Sequence, residues 1–182
     1  MSNTLVVYQS AYGHTKTYAD WIAQELGCPV LPAAEATLGR LYEPEVIIFG
    51  CGIYAEKFEG AAPLLRQFPA LSQKTLILFG VGLLSGPEGD ESYFQQLVHK
   101  NFPPEVRARV HFYHFPGGIQ YDALKLSHRA MLSLFCRMLR AKKDLAEDER
   151  RLLDCYGKNA DFSDRSAIRP LVEYARRFGG DV

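Results

Sequence analysis

The apolar run Leu5-Val6-Val7-Tyr8 leads through Gln9 into Ser10-Ala11-Tyr12-Gly13-His14-Thr15, and a helical pattern follows from about Lys16 to Leu26. A short continuous apolar run is the signature of a strand covered on both faces. A loop of small and hydroxylic residues between such a strand and a helix is an anion site in outline. The first N–H groups of the helix have no intrahelical partner, and the helix dipole favours negative charge there. Ser10 and Thr15 add hydroxyl donors, and Gly13 lets the backbone come close. The stretch Ser10, Ala11, Tyr12, Gly13, His14 and Thr15 therefore reads as a phosphate site. The plainer alternative is an ordinary turn in which Ser10 or His14 caps the helix.

Neither common nucleotide fingerprint is present. There is no Gly-x-x-x-x-Gly-Lys-Ser/Thr and no Gly-x-Gly-x-x-Gly at this turn, which argues against ATP, GTP or a dinucleotide. Further along, Val46–Phe49, Leu76–Phe79 and Val110–Phe115 are apolar runs, and a weaker strand near Cys28–Leu31 fits between the first two. Helices are expected between them. Tyr18, Ile22 and Leu26 repeat at helical spacing, and further helices are expected near 60–68 and 91–100. This alternation predicts an α/β fold, a doubly wound five-stranded parallel sheet of order 2-1-3-4-5. Ligands of such sheets bind beyond the carboxyl ends of the strands, where the order reverses between the first and third.

The segments after the third and fourth strands should then carry function. The former is Gly50-Cys51-Gly52-Ile53-Tyr54-Ala55-Glu56-Lys57-Phe58. Its glycines would admit a planar ring to the backbone, and Tyr54 either lies against that ring or, with Ile53, covers the strand end. The latter, Gly80-Val81-Gly82-Leu83-Leu84-Ser85-Gly86-Pro87, has no aromatic residue before Tyr93. It reads as an open ring face or as a loop leading to a helix.

The Ser10–Thr15 loop resembles the phosphate loop of flavodoxins. The stretch Val6–Leu26 with its Tyr-Gly-His-Thr-Lys resembles the branch of flavodoxin domains that includes menaquinone-dependent protoporphyrinogen dehydrogenases. So do Ile48-Phe49-Gly50-Cys51-Gly52-Ile53-Tyr54, and Phe115-Pro116-Gly117-Gly118 followed by Tyr121-Asp122. The resemblance implies FMN, a flavodoxin-like fold and redox chemistry. Its phosphate contacts fall on Ser10, Ala11, Tyr12, Gly13, His14 and Thr15, and its ring contacts on Gly52, Ile53, Tyr54, Gly82, Leu83 and Leu84. His14 stands where flavodoxins often have Asn. An FMN-dependent oxidoreductase is the first expectation. A flavodoxin-type electron carrier docking on partner proteins is the second, and a flavin-free regulatory module the third. The end of the first strand, Tyr8-Gln9-Ser10, lacks the carboxylate a phospho-acceptor pocket needs.

Lys+Arg and Asp+Glu both number 21, so nothing global points to nucleic acid, and typical flavodoxins are more acidic. Cys28, Cys51, Cys136 and Cys155 are scattered without a Cys-x-x-Cys pair, which disfavours a metal site and suits reduced thiols in a cytoplasm. No signal segment and no bilayer-length apolar stretch is visible. One domain over 1–182 is expected, with 121–150 as a helical insertion before a closing helix at Ser166–Phe178.

In that insertion Leu124, Met131, Leu132, Leu134, Phe135, Met138 and Leu139 share one helical face, and Lys125, Arg129, Arg137, Arg140 and Lys143 the other. Three readings follow for 122–143. It is a packed helix with a solvated basic face, a peripheral contact with an anionic membrane at the inner face, or a lip over the flavin that attracts an acidic substrate. His128 falls in the apolar arc and reads as a satisfied or partly buried histidine rather than a catalytic one. No catalytic side chain is assigned, and the partner is either a redox protein or a small-molecule substrate.

Overall fold

Alternation along the strands decides which face of the sheet each helix covers. In the computed structural model, which describes residues 3–83 and 91–179, β1 (Thr4–Tyr8) sends Leu5 and Val7 to one face and Val6 to the other. Parallel strands β2 (Val30–Pro32), β3 (Val46–Tyr54), β5 (Thr75–Gly82) and β6 (Val110–Pro116) complete the order β2-β1-β3-β5-β6. Numbered as parallel strands alone, this is the expected 2-1-3-4-5. On one face α1 (His14–Leu26) and α8 (Arg169–Gly179) bury Tyr18, Ile22 and Leu171 against Val6, Ile48, Ile77 and Phe79. On the other, α3 (Ala62–Leu71), α4 (Glu91–Asn101) and α5 (Pro104–Arg107) bury Phe68, Leu97 and Val106 with Leu5, Ile47 and Leu76; short α2 (Leu38–Tyr42) adds Leu41. Each fully buried side chain of this size contributes about 1.5–3 kcal/mol.

Two expected loops are strand instead. Gly50–Tyr54 continues β3, pairs with β5 as far as Gly52↔Val81, and returns as antiparallel β4 (Lys57–Glu59). Likewise Gly80–Gly82 continues β5, paired to His114–Pro116 of β6. The glycines that resembled loop residues are flat seats for neighbouring rings. A Cβ at Gly50 would strike the Phe79 ring, and one at Gly80 would strike Ile53 and Phe58.

Beyond β6 the chain builds a helical lobe with its own small core. Strand β7 (Gly118–Ile119) pairs antiparallel with β8 (Ala160–Asp161), and between them come α6 (Leu126–Ala141) and α7 (Glu147–Asp154). Ile119, Cys136, Leu139 and Leu152 are buried there together. The expected apolar arc is only partly covered: Leu139 is buried and Leu124, Leu132 and Phe135 are half-buried, whereas Met131, Leu134 and Met138 are 39%, 61% and 62% exposed. Tyr18 ties this lobe to the sheet. Its hydroxyl donates to Pro116 O at 2.7 Å and accepts from Asp164 N–H at 2.9 Å, and burial raises its pKa to about 12. Among the described residues no helix is long and apolar enough to cross a membrane.

Candidate functional site

Gln9 N–H still donates to Gly50 O at 2.8 Å, so the chain leaves the sheet only at Ser10. Ser10 Oγ accepts from Gly13 N–H at 3.0 Å and folds the loop on itself. Gly13 has φ +98°, and a Cβ there would meet nothing within 4 Å. It is glycine for its backbone angle, and the room in front of it is open. The first hydrogen bond into α1 runs from Thr17 N–H to Gly13 O at 3.0 Å, and no side chain caps the helix. The N–H groups of His14, Thr15 and Lys16 therefore have no intrahelical partner. Neither Ser10 nor His14 is the capping residue of α1; Gly13 holds that position, and Ser10 Oγ takes its N–H. Thr15 is buried, while Ala11 and Gly13 are exposed.

His14 faces away from the loop. Its Nδ1 lies 3.4 Å from both Asp161 Oδ1, at the end of β8, and Ser163 Oγ, just after it. Its Nε2 is buried without a partner among the described residues. Burial alone would raise the Asp161 carboxyl, but hydrogen bonds from Ser163 and the nearby imidazole outweigh it and hold it below the usual range. A Cβ on Gly118 would come within 2.5 Å of His14 Cε1 and of Ala160 O, so β7 packs tightly on this imidazole.

A cavity of about 410 Å³ opens at the carboxyl ends of β3 and β5. Ile53, Tyr54, Gly82 and Leu83 line it, four of the residues at which the resemblance puts ring contacts. Leu84 lies outside the described residues. Of the Ser10–Thr15 loop only Tyr12 reaches the cavity. Gly52 is not on its wall, because the Tyr54 ring occupies the place of a Gly52 Cβ. The β3–β4 turn holds Ala55 at φ 44° and Glu56 at φ 62°. Two left-handed residues make the tight turn that suits a twisted hairpin, at about 1–2 kcal/mol of strain per non-glycine residue. Burial, then the nearby Glu59 charge, pushes the Tyr54 hydroxyl well above its ordinary pKa.

The other wall comes largely from the insertion, for which the sequence left a packed helix, a membrane contact and a lip over the flavin open. Met131, Leu134, Phe135 and Met138 of α6 face the cavity, with Leu124 before the helix and Tyr93 of α4 opposite. His128 stands among them. Its Nδ1 is 2.5 Å from Tyr12 Oη, and its ring stacks on Tyr54 at 5.2 Å and 18°. Tyr12 meets Tyr54 edge-on at 5.7 Å. The apolar arc of 124–139 was the available signal for these residues, but period alone cannot tell a face that packs from one that lines a cavity.

The family model described as the flavodoxin domain matches residues 5–146, more than half of the chain. The chain belongs to this family. Three solved structures are similar to it. An archaeal flavodoxin is 18% identical, over 72% of this chain and 94% of that chain, with a TM-score of 0.38. Oxidised flavodoxin 2 from Bacillus cereus is 17% identical over 61% and 83%, with a TM-score of 0.41. A WrbA-like flavodoxin protein from Agrobacterium tumefaciens is 17% identical over 98% and 99%, with a TM-score of 0.41. No curated protein sequence matches the chain.

Proposed function

We propose that this protein is an FMN-binding flavoprotein oxidoreductase. The observation that carries the reading is the α1 N-terminus: three N–H groups without intrahelical partners and an open approach at Gly13, beside a largely apolar cavity at the switch point of the sheet. These residues fit FMN. Ser10, Thr15 and the amides of residues 14–16 would hold its phosphate. Ile53, Tyr54, Gly82 and Leu83 would border its ring, and Leu84 follows in the same stretch. Bound FMN would supply hydride or electron transfer, while the protein supplies binding, orientation and electrostatics. Its family and the Ser10–Thr15 motif support the same cofactor.

The cavity continues past the carboxyl ends of the strands along α6, which favours a small-molecule substrate over a simple electron carrier. The narrower reading, an activity resembling menaquinone-dependent protoporphyrinogen dehydrogenases, rests on the resemblance of Val6–Leu26, Ile48–Tyr54, and Phe115–Gly118 with Tyr121-Asp122. Purified protein should be yellow or take up added FMN with quenching of flavin fluorescence. A colourless protein that neither quenches FMN nor gains stability from it would end this reading.

A second reading concerns α6. Leu126, Leu134 and Met138 are exposed beside Lys125 and Arg137, a surface suited to an anionic bilayer. Salt-sensitive co-sedimentation with anionic vesicles, absent with neutral ones, is the expected result.

A further inference from the structure

The cavity wall is largely apolar, so each polar group on it has disproportionate influence on what binds there. His128 is placed by contacts from two directions. Its ring lies on Tyr54, and its Nδ1 is bonded to the Tyr12 hydroxyl. That hydroxyl oxygen also accepts from Lys125 N–H at 3.3 Å, at the residue that opens α6. The hydroxyl proton has no acceptor other than Nδ1 among the described residues. In neutral imidazole an Nδ1 that accepts leaves the proton on Nε2. With the phenol donating to Nδ1, the backbone amide, the phenol and the imidazole would form a directed chain that ends in an Nε2–H donor.

We propose that His128, fixed in its Nε2–H tautomer by Tyr12, is the specificity-determining donor of this cavity and selects flat, largely apolar ligands that carry a carbonyl-type oxygen. The apolar part of such a ligand is matched by Leu124, Met131, Leu134 and Met138, which present apolar surface beside His128. A pure hydrocarbon of the same outline would leave the donor unpaired, which is what lets a single buried hydrogen bond discriminate. The inference rests on reading the cavity as the substrate site of the oxidoreductase. Tyr12 gains a different role from the phosphate contact that its motif position implies: it joins the phosphate loop to the start of α6.

The pair 9-fluorenone and fluorene tests this, being flat tricycles that differ by one carbonyl oxygen. Equilibrium dialysis of the purified full chain, with and without FMN, should show about tenfold or greater preference for fluorenone. His128→Phe should reduce the preference to within about twofold while still binding fluorene, because one hydrogen bond is lost and the apolar wall is kept. His128→Gln, which restores an N–H donor, should recover most of it. Tyr12→Phe frees the tautomer and should lower the preference by about threefold.

Long-range proton–nitrogen correlation of the imidazoles gives a readout independent of ligand. His128 should carry its proton on Nε2 in the wild type and lose that bias in Tyr12→Phe. Equal binding of the two tricycles by the wild type, or a proton on Nδ1, would overturn the proposal. Selective fluorenone binding by a chain that fails to take up FMN would support the role of His128 and remove the flavoprotein reading. FMN uptake without fluorenone selectivity would do the reverse.

Discussion

Two sides of one site are built by different physics. The Ser10–Thr15 side is local: within six residues it has a glycine at φ +98°, an uncapped helix start and a hydroxyl folded back on its own loop. The α6 side is assembled from distance, with His128 reaching Tyr12 across 116 positions and Met131, Leu134 and Met138 aligned with Ile53 and Leu83. The first side offers backbone dipoles and suits an anion. The second offers largely apolar surface with His128 on its wall. Backbone amides bind without help from remote residues, whereas an apolar wall exists only while its helix stays docked.

The largest expected effect breaks the second side alone. Leu139 is buried under α6, and Leu139→Ala should cost about 2–5 kcal/mol. Hydrogen exchange should place the loss in 126–154, with β1, β3 and β5 still protected. Uniform loss across the sheet would show that the lobe and the sheet do not separate.

Next comes His114, whose buried Nε2 lies beneath Gly82 and whose pKa burial lowers to about 4. An unfolded imidazole titrates near 6.5, so between these values the unfolded chain binds more protons and stability falls with falling pH. The loss should start near pH 6.5 and reach about 3 kcal/mol below pH 4. His114→Phe should flatten that part of the denaturation–pH profile.

On the first side, Ser10→Ala combined with Thr15→Ala should weaken FMN by about 10–100-fold, the value of hydrogen bonds to a charged group, and leave riboflavin nearly unchanged. Equal losses for both flavins would refute the phosphate role. The smallest effect sharpens the contrast. Leu134→Ser with Met138→Ser should alter stability by no more than about 0.5 kcal/mol, since both side chains are largely exposed. The same change should weaken binding of fluorenone to the cavity, as measured by dialysis.

Much of the fold was legible in the chain. The runs at Leu5, Val46 and Leu76 are the cores of β1, β3 and β5, because strands covered on both faces are apolar throughout, and the run at Val110 marks the edge strand β6, which is only partly covered. Less legible were Gly50, Gly52 and Gly80. Glycine at a strand end marks a space in the backbone, but not whether a ligand or a side chain such as Phe79 fills it. His14 shows the same limit from the polar side. The motif gives His14 a place in the loop, and only the fold shows that its imidazole meets Asp161 far along the chain.

The sequence by itself determined the local chemistry: a strand, a hydroxyl-rich turn that contains glycine, and the start of a helix. Those properties depend on neighbours within a few residues. Only the tertiary structure decided which part of the α6 face is covered, that Tyr12 bonds to His128 instead of standing free in its loop, and that the apolar arc becomes a cavity wall. Such outcomes depend on where distant segments meet, and periodicity along the chain carries no record of that.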